Sequence, residues 1–127
     1  MEGLHILAEL HQCRCAPPLL TEAAALRALC LQVCTEAGLT VVGEVFHGFG
    51  TPQAPAGATG AVVLAESHLT VHTWPELAAV TLDLYVCNFS RDNRAAAEAA
   101  YRLLHAAFAP GRAVRREVQR GALETIV

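Results

Sequence analysis

Residues 58–76 read Ala-Thr-Gly-Ala-Val-Val-Leu-Ala-Glu-Ser-His-Leu-Thr-Val-His-Thr-Trp-Pro-Glu. The continuous apolar run of residues 59–65 is typical of a buried strand, and it ends abruptly at the polar residues 66–68. A second strand is predicted over residues 69–73, before a turn at residues 74–76. The stretch therefore predicts two consecutive strands with a group of polar side chains between them.

The sequence on either side extends this pair of strands into a sheet. Further strands are predicted over residues 4–10, 39–46, 80–86 and 113–118, and helices over residues 19–37 and 91–108. Apolar and polar side chains alternate in the strand 80–86, so that one of its faces is buried. This order of elements favours an α+β fold, in which both helices cover one face of a largely antiparallel sheet.

Length and composition indicate one compact unit that spans residues 1–127. Of these residues 54% are apolar, and a sheet covered on one side leaves a second face to be covered. We therefore expect a homodimer in which two sheets pack face to face as a sandwich. The formal net charge of -3 disfavours binding to nucleic acid or to an anionic membrane.

The sequence also bears on the compartment and on metal binding. No stretch reaches the ~20 apolar residues that span a bilayer, and the first residues lack the basic segment of a secretory signal, so a cytoplasmic protein is expected. The five cysteines include the pairs Cys13-x-Cys15 and Cys30-x3-Cys34. Cys30 and Cys34 lie in a helical, leucine-rich stretch without a second CxxC motif, so we predict ordinary thiols and no metal site.

All nine basic residues are arginines, and the chain contains no lysine. An enzyme that forms a Schiff base through its own side chain needs a lysine amine. If this chain performs carbonyl–amine chemistry, another group must therefore supply the electrophile.

Residues 66–76 resemble the processing site of the short prokaryotic S-adenosylmethionine decarboxylase proenzymes, which is Glu-Ser-His followed by His-Thr-Trp-Pro-Glu. The similarity extends to Phe-His-Gly-Phe at residues 46–49 and to Asp-Leu-Tyr-Val-Cys at residues 83–87. It implies that the chain cleaves itself between Glu66 and Ser67. The products would be residues 1–66 and residues 67–127, and Ser67 would become a covalent pyruvoyl group, the electrophile that a lysine-free chain otherwise lacks.

The resemblance also implies roles for individual residues. His72 would act as a general acid or base in processing, and Cys87 would donate a proton to the decarboxylated carbon. Thr59 stands where the family often has a serine, and its hydroxyl would support processing. Phe49 would stack on the adenine of the substrate, and Glu76 would bind the ribose hydroxyls.

These roles raise a geometric problem for Ser67 and His72. In one continuous strand the two side chains would point to opposite faces, because the residues are separated by an odd number of positions. We therefore predict a turn at Glu66-Ser67-His68 that would allow the two side chains to cooperate.

The implied reaction converts S-adenosylmethionine into its decarboxylated form, the aminopropyl donor for polyamines such as spermidine. Two departures from the family pattern concern the substrate site: Asn88 replaces a common glycine, and the loop 50–57 is longer. A pyruvoyl-dependent decarboxylase of arginine or ornithine is therefore one alternative. An uncleaved, non-enzymatic paralogue is another, although the joint presence of Ser67, His72 and Cys87 weighs against it.

Overall fold

The computed structural model describes residues 2–121, and its framework is an antiparallel sheet. The strands of this sheet are β1 (Gly3–His11), β2 (Val41–Gly48), β3 (Ala58–Leu64), β4 (Ser67–Trp74), β5 (Ala79–Cys87) and β6 (Arg112–Arg120). They lie in the order β2-β3-β4-β5-β1-β6, and every neighbouring pair is antiparallel. The α+β prediction is confirmed.

The helices pack together against one face of this sheet. They are α1 (Pro18–Thr21), α2 (Ala23–Glu36) and α3 (Arg94–Phe108), and a short 3-10 turn occupies Pro75–Leu77. The core lies between the helices and the sheet, and its fully buried side chains include Ile6, Leu26, Leu69, Leu84 and Phe108. No helix within residues 2–121 has the length and apolar character needed to cross a bilayer.

Two helix boundaries differ from the prediction. The helix predicted over residues 19–37 is divided at Glu22, whose extended backbone (φ -116°, ψ 116°) separates α1 from α2. The helix predicted from residue 91 begins at Arg94. The side chain of Asn88 accepts a hydrogen bond of 2.8 Å from the Asn93 N–H, which keeps the intervening residues in a loop.

The opposite side of the sheet, which we call the open face, bears no helix in the described part of the chain. Its side chains lie directly opposite one another on the central strands. The composition predicted an apolar face here, but most of these side chains are polar or aromatic. The central members are His5, Glu9, Thr59, His68, Thr70, His72, Thr81, Asp83 and Tyr85. An occupant of this face would therefore meet polar and aromatic groups.

Candidate functional site

The connection between β3 and β4 places Ser67 at the start of a strand. Leu64 pairs with Ser67, so that only Ala65 and Glu66 form the turn. Glu66 has a φ of 67°, in the left-handed region that is costly for a residue with a side chain. The turn predicted at Glu66-Ser67-His68 was therefore misplaced, because β4 is continuous from Ser67 to Trp74.

The carbonyl group of Glu66, directly before Ser67, is held by the neighbouring strand. Its oxygen accepts a hydrogen bond of 3.1 Å from the main-chain N–H of Cys87. The Glu66 carboxylate accepts a second bond of 3.2 Å from the Ser90 N–H. Hydrogen bonding to Ser90, with the nearby charge of Arg91, lowers the pKa of Glu66. Such a donor can stabilise negative charge on a carbonyl oxygen.

The side chain of Ser67 is buried, with 7% of its surface exposed. Its Oγ has no hydrogen-bond partner among the described residues. A buried hydroxyl without a partner lowers stability, and such groups are rare in folded proteins. The hydroxyl is therefore uncommitted next to a polarised carbonyl, which suits a nucleophile.

A second group of predicted site residues lies at the other end of β3 and β4. Thr59 is the direct partner of His72, and its hydroxyl donates to the Val71 carbonyl at 3.1 Å. The His72 ring is flanked by Trp74 at 4.1 Å and by Phe49 at 5.5 Å between ring centroids. We call Phe49, Thr59, His72 and Trp74 the aromatic end, and Glu66, Ser67 and Cys87 the cleavage end.

The chain does not bring the two ends together. Ser67 and His72 are five residues apart along β4, which amounts to roughly 16 Å in an extended strand. Ser67 shares the buried face with Leu69, whereas His72 lies on the open face. The predicted cooperation of Ser67 and His72 within one chain was therefore wrong, because no turn interrupts the alternation of side chains.

Between the two ends the open face has a shallow depression of about 230 Å³. Thr59, Thr70, His72, Thr81 and Asp83 are among its lining residues. Sites for small organic ligands are commonly ~300–1,000 Å³. The depression is too small and too open to enclose such a ligand by itself.

Comparisons with known proteins agree with this fold. Residues 4–121 match the family described as S-adenosylmethionine decarboxylase. The chain belongs to this family. It is 34% identical over 122 residues to the S-adenosylmethionine decarboxylase proenzyme of Syntrophomonas wolfei, which covers 96% of this chain and 89% of that protein. It is 40% identical over 85 residues to the proenzyme of Archaeoglobus fulgidus, covering 67% of this chain and 70% of that protein.

A solved decarboxylase has the same fold. The crystal structure of the adenosylmethionine decarboxylase from Aquifex aeolicus matches with a TM-score of 0.81 and 29% sequence identity, over 98% of this chain and 95% of that one. The predicted family and its class, a carboxy-lyase, are thus confirmed.

The cysteines of this member of the decarboxylase family have different surroundings. Cys30 and Cys34 are buried in α2, and burial raises their pKa to about 12 and about 11. They pack in the core between α2 and the sheet. Cys87 lies instead at the end of β5, where the Asn93 side chain donates a bond of 2.8 Å to its carbonyl.

Two residues near the cleavage end were not singled out from the sequence. Asn93 links the Cys87 carbonyl to the Asn88 side chain, so that Asn88 contributes to the loop after β5. Tyr85 shares the open face with Cys87 and lies opposite His5. The alternation within β5 was a usable signal for Tyr85, because residues two positions apart share a face.

Proposed function

We propose that this chain is the precursor of an S-adenosylmethionine decarboxylase that cleaves itself between Glu66 and Ser67. Residues 1–66 and residues 67–127 would remain together as one functional unit. The observation that carries the proposal is the buried Ser67 hydroxyl, which has no partner within residues 2–121, next to the left-handed Glu66. The decarboxylated product would serve as the aminopropyl donor for polyamines such as spermidine.

The surroundings of Ser67 support an attack by its Oγ on the carbonyl carbon of Glu66. The Cys87 N–H already donates to the oxygen on which charge would develop. The left-handed conformation of Glu66 would raise the energy of the intact bond relative to its products. His72 would act as general acid or base in this step, a role suited to an imidazole.

The residues at the cleavage end fit the formation of a pyruvoyl group from Ser67. When formed, this group supplies a carbonyl that accepts the substrate amine and the electrons left by carbon dioxide, which no lysine of this chain can provide. Cys87 would donate a proton to the carbon that loses carbon dioxide. Its main-chain N–H is hydrogen-bonded to the Glu66 carbonyl, which supports a role for Cys87 at the cleavage end.

The aromatic end suits the binding of a nucleoside. Phe49 is 53% exposed, and its ring contacts the rings of His47 and His72. It therefore offers a free face to an adenine. Glu76 is exposed in the 3-10 turn that follows Trp74 and would accept hydrogen bonds from ribose hydroxyls. The Thr59 hydroxyl would support His72, its direct strand partner.

The separation of the two ends supports a homodimer. In a two-fold symmetric dimer every contact occurs twice. If residue i of one copy contacts residue j of the other, then residue j of the first copy also contacts residue i of the second. If the open faces pack together with the strands of the two copies running in opposite directions, the aromatic end of one copy would lie over the Cys87 side of the other copy's cleavage end. Each depression would then receive the second wall that it needs to enclose a substrate.

The free cysteines support a cytoplasmic location for this reaction. All five thiols are unpaired in the described residues, as a reducing compartment would keep them. The Cys13 thiol is also buried, which raises its pKa to about 11 and makes it a poor nucleophile at neutral pH.

Self-cleavage is the direct test of this function. Purified protein should yield the fragments 1–66 and 67–127, with the amino terminus of the second blocked to Edman degradation, whereas Ser67→Ala should stay full length. Carbon dioxide release is then measured from S-adenosylmethionine, arginine and ornithine. A wild-type chain that remains intact after long incubation would exclude the enzyme and favour the uncleaved paralogue.

A further inference from the structure

The side chains of Tyr85 and Cys87 are neighbours on the open face of β5. Gly3 of β1 lies directly opposite Cys87. A Cβ added to Gly3 would lie 2.8 Å from the Cε1 and 2.9 Å from the hydroxyl oxygen of Tyr85. The phenol therefore leans towards β1 over Gly3, and its hydroxyl lies next to the strand partner of Cys87.

The hydroxyl of Tyr85 is suited to donate a hydrogen bond. Burial raises the pKa of Tyr85, and the neighbouring Cys87 raises it further. The phenol thus keeps its proton at neutral pH. Its ring is fixed by the Arg120 guanidinium, 4.8 Å from the ring centroid, and by the His68 ring at 5.4 Å.

We propose that Tyr85 is a positioning residue for proton donation by Cys87, an inference that rests on the proposed decarboxylation. The Tyr85 O–H donates to the Cys87 sulfur, and this directs the S–H bond away from the phenol. When Cys87 gives up its proton, the S–H bond breaks, a C–H bond forms at the substrate carbon, and the electron pair remains on sulfur. The Tyr85 O–H stays intact and stabilises the thiolate.

The position of Gly3 is part of this arrangement. Any side chain at this position would meet the phenol within 3 Å. The main-chain carbonyl of Val86 would be equally close, at 2.9 Å. The first strand thus leaves the space that Tyr85 fills beside Cys87.

The fate of the amino-terminal group of fragment 67–127 tests the proposal. A proton delivered to the wrong carbon transfers the substrate amine to this group and leaves alanine there, which intact mass spectrometry detects. In Tyr85→Phe the ring is kept and the hydroxyl is lost. The fraction of alanine per turnover should rise about tenfold, with little change in KM.

Tyr101→Phe is the matched control. Tyr101 also lies under an arginine, with Arg115 at 4.7 Å from its ring centroid, but it packs on α3 away from the open face. Its alanine fraction should equal that of the wild type. An unchanged alanine fraction in Tyr85→Phe would overturn the proposal.

A second measurement does not require cleavage or activity. In the Ser67→Ala chain, peptide mapping measures the rate at which iodoacetamide alkylates Cys87, with Cys15 as the internal reference. Adding Tyr85→Phe should slow the alkylation of Cys87 several-fold at neutral pH, because the thiolate loses a donor. An unchanged rate would refute the contact between Tyr85 and Cys87. If Tyr85→Phe slows the alkylation of Cys87 but the wild-type protein neither cleaves itself nor decarboxylates S-adenosylmethionine, the proposed function fails and the contact between Tyr85 and Cys87 stands.

Discussion

Ser67 and His72 belong to the same strand but point to opposite faces of the sheet, roughly 16 Å apart along β4. If His72 acts directly at the cleavage end, where Cys87 shares its face, the acting ring must come from another copy of the chain. We therefore predict cleavage in trans when Ser67→Ala and His72→Ala chains with different tags are produced together. The His72→Ala chain keeps its own Ser67 and should be cleaved with the help of the partner's intact His72.

Each variant produced alone provides the control. Ser67→Ala should stay uncleaved, and His72→Ala should be cleaved at least tenfold more slowly than the wild type. Mass spectrometry of the tagged fragments identifies which chain was cut. If the His72→Ala chain is cut no faster in the mixture than alone, His72 does not act across a dimer interface.

The left-handed backbone of Glu66 predicts a difference between two small substitutions. Both Glu66→Ala and Glu66→Gly remove the carboxylate bond to Ser90, but only glycine adopts a φ of 67° without cost. If strain favours cleavage, Glu66→Gly should be cleaved about fivefold more slowly than Glu66→Ala, equivalent to ~1 kcal/mol. The time course of fragment formation measures this. Equal rates would show that the strain does not contribute.

His68 predicts a specific dependence of stability on pH. Burial lowers its pKa, the positive charges of His5 and Arg120 lower it further, and Asp83 partly offsets them. The unfolded chain then binds more protons than the folded one as the pH falls through the ordinary histidine pKa of 6.5. The free energy of unfolding should therefore decrease from about pH 6.5 down to the folded-state pKa of His68.

Urea unfolding of the uncleaved Ser67→Ala chain at about pH 7.5 and pH 5.5 measures this effect. Adding His68→Gln removes the titrating group, and the loss of stability between the two pH values should become smaller. A loss of the same size in both chains would assign the pH dependence to other groups.

Removal of the buried Thr73 hydroxyl should lower the stability of the folded chain. Its Oγ donates to the Leu20 carbonyl at 2.7 Å and accepts from the Ala58 N–H at 2.9 Å, joining α1 to the start of β3. Thr73→Val leaves both groups without this partner and should lower the free energy of unfolding by ~1–3 kcal/mol. Thr73→Ser keeps the hydroxyl and should lose less. Chemical denaturation in the Ser67→Ala background compares them, and equal losses would assign the effect to packing.

The sequence predicts the sheet well because its strands carry clear patterns. The strict alternation in β5 and the apolar run in β3 define both elements almost to their ends. The position of the turn between β3 and β4 was not predictable in this way. Ala65 and Glu66 lack the glycine or asparagine that usually marks a two-residue turn, and the left-handed φ of Glu66 depends on the surrounding sheet.

The contacts of the site depend on register, which the sequence does not specify. Cys87 and Thr59 were identified from the motif, but their neighbours follow from strand pairing. Gly3 opposite Cys87 makes room for Tyr85, and His72 opposite Thr59 completes the aromatic end. The break between α1 and α2 at Glu22 was likewise not predictable, because the surrounding residues are good helix formers.

Phe49 and Glu76 predict which substrate the enzyme prefers. Stacking of a base on an aromatic ring contributes ~1–3 kcal/mol, so Phe49→Ala should raise the KM for S-adenosylmethionine about tenfold or more. Phe49→Tyr keeps the ring and should retain most of the affinity. Glu76→Gln, which keeps an acceptor oxygen but loses the charge, should have an intermediate effect.

These variants are compared by carbon dioxide release after complete self-cleavage, so that only substrate binding and turnover are measured. A decarboxylase of arginine or ornithine needs a carboxylate for the distal cation of its substrate. The open face offers Asp83 within the depression, whereas the exposed ring of Phe49 lies beside His72, which lines the depression. Turnover of arginine or ornithine but not of S-adenosylmethionine, or an unchanged KM in Phe49→Ala, would overturn the assignment of the substrate and leave self-cleavage at Ser67 standing.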